Sequence, residues 1–382
     1  MHVVVSKKDL LKILTRCQGV ADKKSTMPVL GNVLLEVEGQ NRLRVAATDL
    51  HLAVSGTLPA QVESPGSVAL GARDLLERVR MMPEGQIGIS STEGAATTIR
   101  AVGTARRFTL HGVPGSEFPT LPEPDPNTTP LAIDVRRLGQ LIAGTYFSIS
   151  TDDTRAHLNS ALFEWEGEQV RMVTTDGHRL SKMETVVQGR HASATLLIPQ
   201  KGVLELKRLC DEAATEAKGE GGDVSEIQIV PGGPNVFFDL PGLRFSVKLV
   251  DAQFPPYQQV IPEHSERAVR APRAELADAL KAVSVAASDR TGGVKLTVSA
   301  GKMRFESESP ESGAGFDEVI VDYDGPEVTI GFNARYFLDV LAAIDDDEVV
   351  LGISGELDPA VIKPANTSGT TTYVAVVMPM RI

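Results

Sequence analysis

Cysteine is scarce: Cys17 and Cys210 are the only two in 382 residues, and each stands in a helix-like stretch. A disulfide scaffold is therefore excluded, and the chain reads as a cytoplasmic protein with two reduced, semi-buried thiols. No apolar run approaches the length that spans a bilayer. The opening MHVVVSKKDLLKIL also lacks the charge-then-apolar order of a secretory leader. Positive charge is short as well, with 38 Lys and Arg against 50 Asp and Glu and a net charge of −12. Taken alone, that balance argues against a nucleic-acid partner, because phosphate binding needs positive surface.

Catalytic signatures are missing too. There is no GxxxxGK phosphate loop, no GxGxxG dinucleotide turn, no HExxH and no GxSxG elbow. The seven histidines are scattered without metal-ligand spacing. Neither a metal nor another cofactor is expected.

What the chain does have is repetition. An amphipathic helix, a run of strands and a second short helix introduced by a strand occur three times. The paired segments are 6–20 with 68–82, 134–150 with 195–209, and 271–288 with 328–341. Alternating strands follow each second helix, in GQIGIS, SEIQIV and DEVVLGIS. Proline-rich connectors, EFPTLPEPDPNTTP and QFPPYQQVIPEH, close the first two units. The expectation is three α+β domains of one architecture, at about 1–123, 130–263 and 264–382.

The stretch TTDGHRLSK (174–182) gathers Asp176, His178 and Arg179 as an active site would. The repeat weighs against that reading. Thr48–Asp49 and Thr175–Asp176 each stand about 42 residues past the start of their unit's first helix, where one strand turns into the next. A Thr-Asp pair there satisfies turn backbone groups through its side-chain oxygens. Asp176 is thus read as a repeated turn residue, and His178 with Arg179 as particular to the second unit.

Charge is distributed unevenly. Lys8, Lys12 and Arg16 recur every four residues on one helix face, opposite Leu10, Leu14 and Cys17. Arg273 and Lys281 lie two turns apart in the third unit. The six helical segments carry about +7 together, leaving about −19 on the rest. Solvated helix faces often hold such residues. The alternative is a helix-lined surface facing phosphate beneath an acidic exterior. Without interleaved aromatics it would contact backbone rather than stack on bases. The residues themselves leave three readings open: a clamp on duplex DNA, a hydrolase using Asp176 and His178, or a repeat-built peptide adaptor.

Longer pieces favour the first. STMPVLGNVLLEV (25–37), ATDL (47–50), TTDGHRL (174–180), KGVLEL (201–206), KLVDAQFPPYQQVIP (248–262), GFNARYFLDVL (331–341) and the terminal VMPMRI (377–382) span the chain. With them the sequence resembles the bacterial sliding clamps, the beta subunit of DNA polymerase III. The resemblance implies a head-to-tail homodimer of three-domain chains, a six-domain ring with helices inside and sheets outside. It implies a DNA replication factor that encircles duplex DNA without reading its sequence, tethers the polymerase for processive synthesis and catalyses nothing. Implied partners are the replicative polymerase alpha subunit, the clamp loader delta subunit and other proteins with a clamp-binding motif; no membrane is involved.

Site residues follow from the same resemblance. Lys24 and Arg73 fall where family members contact DNA, Lys24 in place of the common arginine. Arg155, Leu158, Thr175, Gly177, His178, Arg179, Leu180, Pro255, Val260, Val376, Met378, Pro379, Met380, Arg381 and Ile382 match the protein-binding cleft. Its rim is assigned to His178 and Arg179. Phe108 and Leu110 on one side, and Val285 and Ala286 on the other, match the dimer interface. RAHLNS (155–160) departs from the family, with Ala156 and His157 where paired tyrosines are usual.

Overall fold

The computed structural model describes residues 1–189, 191–220, 226–288, 292–366 and 369–381. Six α-helices stand among them: α1 (Lys7–Gln18), α2 (Ala72–Arg80), α3 (Val135–Ala143), α4 (Gln200–Glu220), α5 (Arg273–Ser284) and α6 (Ala334–Ala343). Each is entered directly from a strand, so the strand-then-helix step expected of three segments recurs six times. Local chemistry marks the junctions. Ser6 caps α1 by accepting from the Asp9 amide at 3.5 Å, and Asn333 caps α6 by accepting from that of Arg335 at 3.0 Å.

The chain forms two compact units, Met1–Arg136 with Leu204–Leu249 and Arg137–Val203 with Val250–Ile382. In the first, thirteen strands hydrogen-bond into one network. Strand Leu52–Ser64 pairs there with His2–Ser6, with Arg42–Thr48 and with Leu243–Lys248. The second unit holds an eight-stranded and a four-stranded sheet. In its larger sheet Arg179–Val186 runs antiparallel to Thr372–Val377, with Leu180 opposite Val376. These ladders run between the expected domains. The last strand of each of the expected second and third domains pairs with the domain before it, and pairing across a boundary leaves no open sheet edge there.

Burial follows the periodicities of the sequence. Val3 and Val5 alternate inward on the first strand, and Leu10, Ile13, Leu14 and Cys17 form the buried stripe of α1. In the second unit Leu276, Leu280 and Val283 of α5 share one core with Phe337, Val340 and Leu341 of α6. Phe332 and Phe337 meet there at 4.6 Å between ring centroids. Each such side chain contributes about 1.5–3 kcal/mol when fully buried.

The charge expectation needs correction in one helix. The segment ending at residue 209 is basic, but α4 continues to Glu220 and over its whole length holds four cations against five carboxylates. The added turns bring Glu212 and Glu216 beside the basic face of α1. Lys12 lies 2.7 Å from Glu216 and Arg16 lies 2.9 Å from Glu212.

Candidate functional site

The two Thr-Asp turns have matching hydrogen bonds. Asp49 Oδ1 accepts from the amides of His51 (2.9 Å) and Leu52 (2.6 Å), and Asp176 Oδ1 from those of His178 (2.9 Å) and Arg179 (3.0 Å). Thr48 Oγ1 donates to the Leu52 carbonyl at 2.8 Å and Thr175 Oγ1 to that of Arg179 at 2.6 Å. Both turns need a left-handed residue after the Asp. Gly177 takes it without cost at φ 94°, whereas Leu50 holds φ 73°. Since Asp176 Oδ2 also accepts from Arg179 Nε at 3.1 Å, the carboxylate is committed to the turn. One expectation is overturned: His178 does have a counterpart, His51. Their carbonyls play the same part, accepting from Met378 at 2.8 Å and from Lys248 at 2.7 Å.

The Met378 bond draws the C-terminal segment to the second turn. Beneath it, Leu180 and Val376 belong to one apolar cluster with Leu162, Val173, Leu197 and Tyr257. Val250, Phe254 and Ile261 pack on its margin. Over this floor Met378 and Val260 are exposed, at 37% and 42%, while Pro255, Pro379 and Met380 are half-buried. Leu158 is buried, and Met380 is anchored through its amide to the Gly331 carbonyl at 2.8 Å. Arg155 reaches the turn, its Nη1 3.7 Å from where a Gly177 Cβ would stand, and is held by Asp152 at 3.0 Å. His157, half-buried, accepts from the Ser160 hydroxyl through its carbonyl, and Ala156 is exposed. Arg381 is exposed, and Ile382 lies outside the described residues.

Arg179 departs from the rim position expected of it. It is buried, and its guanidinium bonds Asp176, Asp339 Oδ2 at 2.6 Å and the Phe147 carbonyl. Tyr336 and Phe147 stack over it at 4.5 and 5.5 Å. A planar fork with aromatic faces is the environment arginine fills best. It acts as an internal strut, leaving His178 alone at the rim.

Elsewhere, Lys24 and Arg73 line one surface hollow together with Lys23, Arg80, Asp22 and Glu77. Four cations thus face two carboxylates in a chain whose net charge is −12. Arg73 is partly engaged by Glu77 at 2.6 Å, and that bond holds the Glu77 carboxyl below its usual range.

The expected interface residues separate by exposure. Val285 is 79% exposed, and Phe108 half-exposed, but Leu110 and Ala286 are buried in their own units. Ala286 is covered because the end of α5 lies against Gly315, whose added Cβ would stand 3.2 Å from it. One site lies on a sheet edge and the other against one: Arg107–His111 ends the first unit's strand order, and Gly313–Ile320, on which Ala286 packs, ends that of the four-stranded sheet. Sequence reasoning missed Phe316 and Ile320, 64% and 78% exposed on the latter edge. It also missed Leu357, 69% exposed on the loop before Ala360, which pairs with Val377 beside Met378. Large apolar residues within an edge strand of alternating pattern were the available signal. Among the described residues no group of three or more His, Cys, Asp or Glu could hold a metal. Among the same residues no helix is long and apolar enough to cross a membrane.

Comparison with known proteins places these features in a family. Residues 1–122, 132–256 and 258–381 match the N-terminal, central and C-terminal domains of the DNA polymerase III beta subunit. The beta sliding clamps of Pseudomonas aeruginosa and Escherichia coli are 33% and 32% identical to the chain, with both proteins covered in full. A crystal structure of the Pseudomonas aeruginosa clamp bound to griselimycin aligns over 100% of both chains at 32% identity and a TM-score of 0.91.

Proposed function

The chain belongs to the DNA polymerase III beta subunit family, the bacterial sliding clamps, and from that premise we propose how its residues carry the role. It is a DNA polymerase processivity factor, built from three clamp domains of mixed helix and sheet. On our reading the domains span about 1–123, 130–263 and 264–382, within the soluble cytoplasm. Two copies close head to tail, strand Arg107–His111 of one chain adding to Gly313–Ile320 of the other. Charge supports that pairing. Arg100, Arg106 and Arg107 stand exposed at the first edge, and Glu308, Glu311 and Glu318 at the second. Phe108, Val285, Phe316 and Ile320 supply its apolar contact, while Leu110 and Ala286 back it from beneath.

The closed ring would encircle duplex DNA, with the Lys24 and Arg73 hollow contacting phosphate irrespective of sequence. The cleft over Leu180 and Val376 would receive short apolar segments of the polymerase alpha subunit, the loader delta subunit and other partners. Exposed Met378 and Val260, with Met380, give it an adaptable wall. The observation that carries this reading is the Met378–His178 bond, which seats the C-terminal segment over that apolar floor. No chemistry is assigned to Asp176 or His178. The test is retention on nicked circular DNA, loaded by an ATP-driven loader, before and after linearisation. Equal half-lives on the two would refute encirclement.

A further inference from the structure

On sequence, α1 is the most basic helix, yet its cations are engaged. Lys12 Nζ lies 2.7 Å from Glu216, and Arg16 lies 2.9 Å from Glu212 and 3.7 Å from Glu216. Lys7 is buried against Glu84 at 2.7 Å. Only Lys8 has no partner among the described residues. Both glutamates facing Lys12 and Arg16 come from the part of α4 beyond Leu209.

The two contacts differ in kind. The Arg16 side chain is 11% exposed, so its guanidinium is a fixture of the seam between α1 and α4. Lys12 and Glu216 are 42% and 41% exposed, a pair lying in water. Such pairs are weak and exchange partners readily. Carboxylate and phosphate oxygens offer an ammonium the same charge-assisted bond. The carboxylate, however, is tethered beside Lys12, and a phosphate taking its place would also meet the displaced negative charge.

We infer that Glu216 is a built-in substitute for duplex phosphate at Lys12. With Glu212 on Arg16 it masks the basic face of α1 except for Lys8, and leaves direct DNA contact mainly to the hollow of Lys23, Lys24, Arg73 and Arg80. This rests on the clamp reading above, in which the helices face the duplex. A ring that must slide is served by weak direct contact, and the mask lowers that contact without loosening the ring.

The experiment titrates the protein onto a fluorescent duplex over a salt series, read by anisotropy. Glu216→Gln keeps an acceptor for Arg16 but frees Lys12. Its log–log salt slope should steepen by about one, so that lowering salt from about 200 to about 50 mM gains roughly threefold more affinity than in the parent. Lys12→Gln alone should leave the parental slope unchanged, and added to Glu216→Gln should cancel the gain. Glu93→Gln, removing an exposed carboxylate on a distant turn, should match the parent. An unchanged slope in Glu216→Gln, or a slope flattened by Lys12→Gln alone, overturns the mask. Circular-DNA retention of the parent is measured alongside. If it persists while the mask fails, the clamp reading stands, and if it is absent both fall.

Discussion

Removing the Arg179 guanidinium tests whether it is a strut or a contact on the cleft surface. Arg179→Ala deletes bonds to Asp176 (3.1 Å), to Asp339 (2.6 Å) and to the Phe147 carbonyl, together with stacking on Tyr336. Breaking a buried ion pair by removing one partner typically costs about 3–5 kcal/mol. Here Asp176 and Asp339 keep 16% and 30% side-chain exposure, so water recovers part of the loss and the lower end, about 3 kcal/mol, applies. Arg179→Lys keeps the charge but not the fork or the stacking, and should cost about half as much. Denaturant midpoints give the stability change, and a double-mutant cycle with Asp339→Ala should show about 1 kcal/mol or more of coupling. Peptide affinity should fall as well, because the turn carrying His178 loses its anchor. Near-parental stability with selectively lost peptide binding would refute the strut and return Arg179 to the rim.

The cleft itself is tested by deleting residues 378–382 or by Met378→Ser with Met380→Ser, which should abolish peptide binding in calorimetry while sedimentation still reports the dimer. The deletion must spare Val376 and Val377, which are ladder partners of Leu180 and Arg179. His178→Ala should weaken binding by about 1 kcal/mol and expose no lost hydrolysis. Replacing Lys24 with Ala should flatten the DNA salt slope by about one unit, and Arg73→Ala by less because Glu77 already competes for that guanidinium. The thiols set a pH dependence. Burial pushes Cys17 and Cys210 up to about 12 from an ordinary value of 9.0. Their contribution is therefore complete below about pH 9 and lost as pH rises toward 12. Native protein at pH 8 should resist thiol reagents that label the unfolded chain. Rapid labelling at that pH would refute the burial.

The repeat was legible because strand-to-helix steps recur with the same polarity pattern. The site was legible only in part, for physical reasons that differ between residues. Thr48 and Thr175 announced equivalent turns, since the Thr-Asp pair satisfies the turn locally and its partners lie within four residues. Arg179 could not be read correctly, because its decisive partners, Phe147, Tyr336 and Asp339, come from distant segments. Leu110 and Ala286 show the same limit. An apolar residue at an edge is buried or exposed according to what packs behind it, and sequence spacing does not show that α5 closes on Gly315.

Charge shows most clearly what a one-dimensional count omits. A period of four places Lys8, Lys12 and Arg16 on one face, and the structure keeps that face. Availability to phosphate depends on a second helix some two hundred residues later, whose added turns carry Glu212 and Glu216. The Lys24 and Arg73 hollow contributes little to any helix tally, since Lys24 lies outside the helices and α2 is nearly balanced. Yet there cations outnumber carboxylates two to one at an open surface. Net helix charge is therefore a poor guide to where this chain presents cations that its own carboxylates leave unpaired. The better guide is the excess of cations over the carboxylates within reach of them, and by that measure the hollow is a basic surface of the first unit while α1 is largely neutralised.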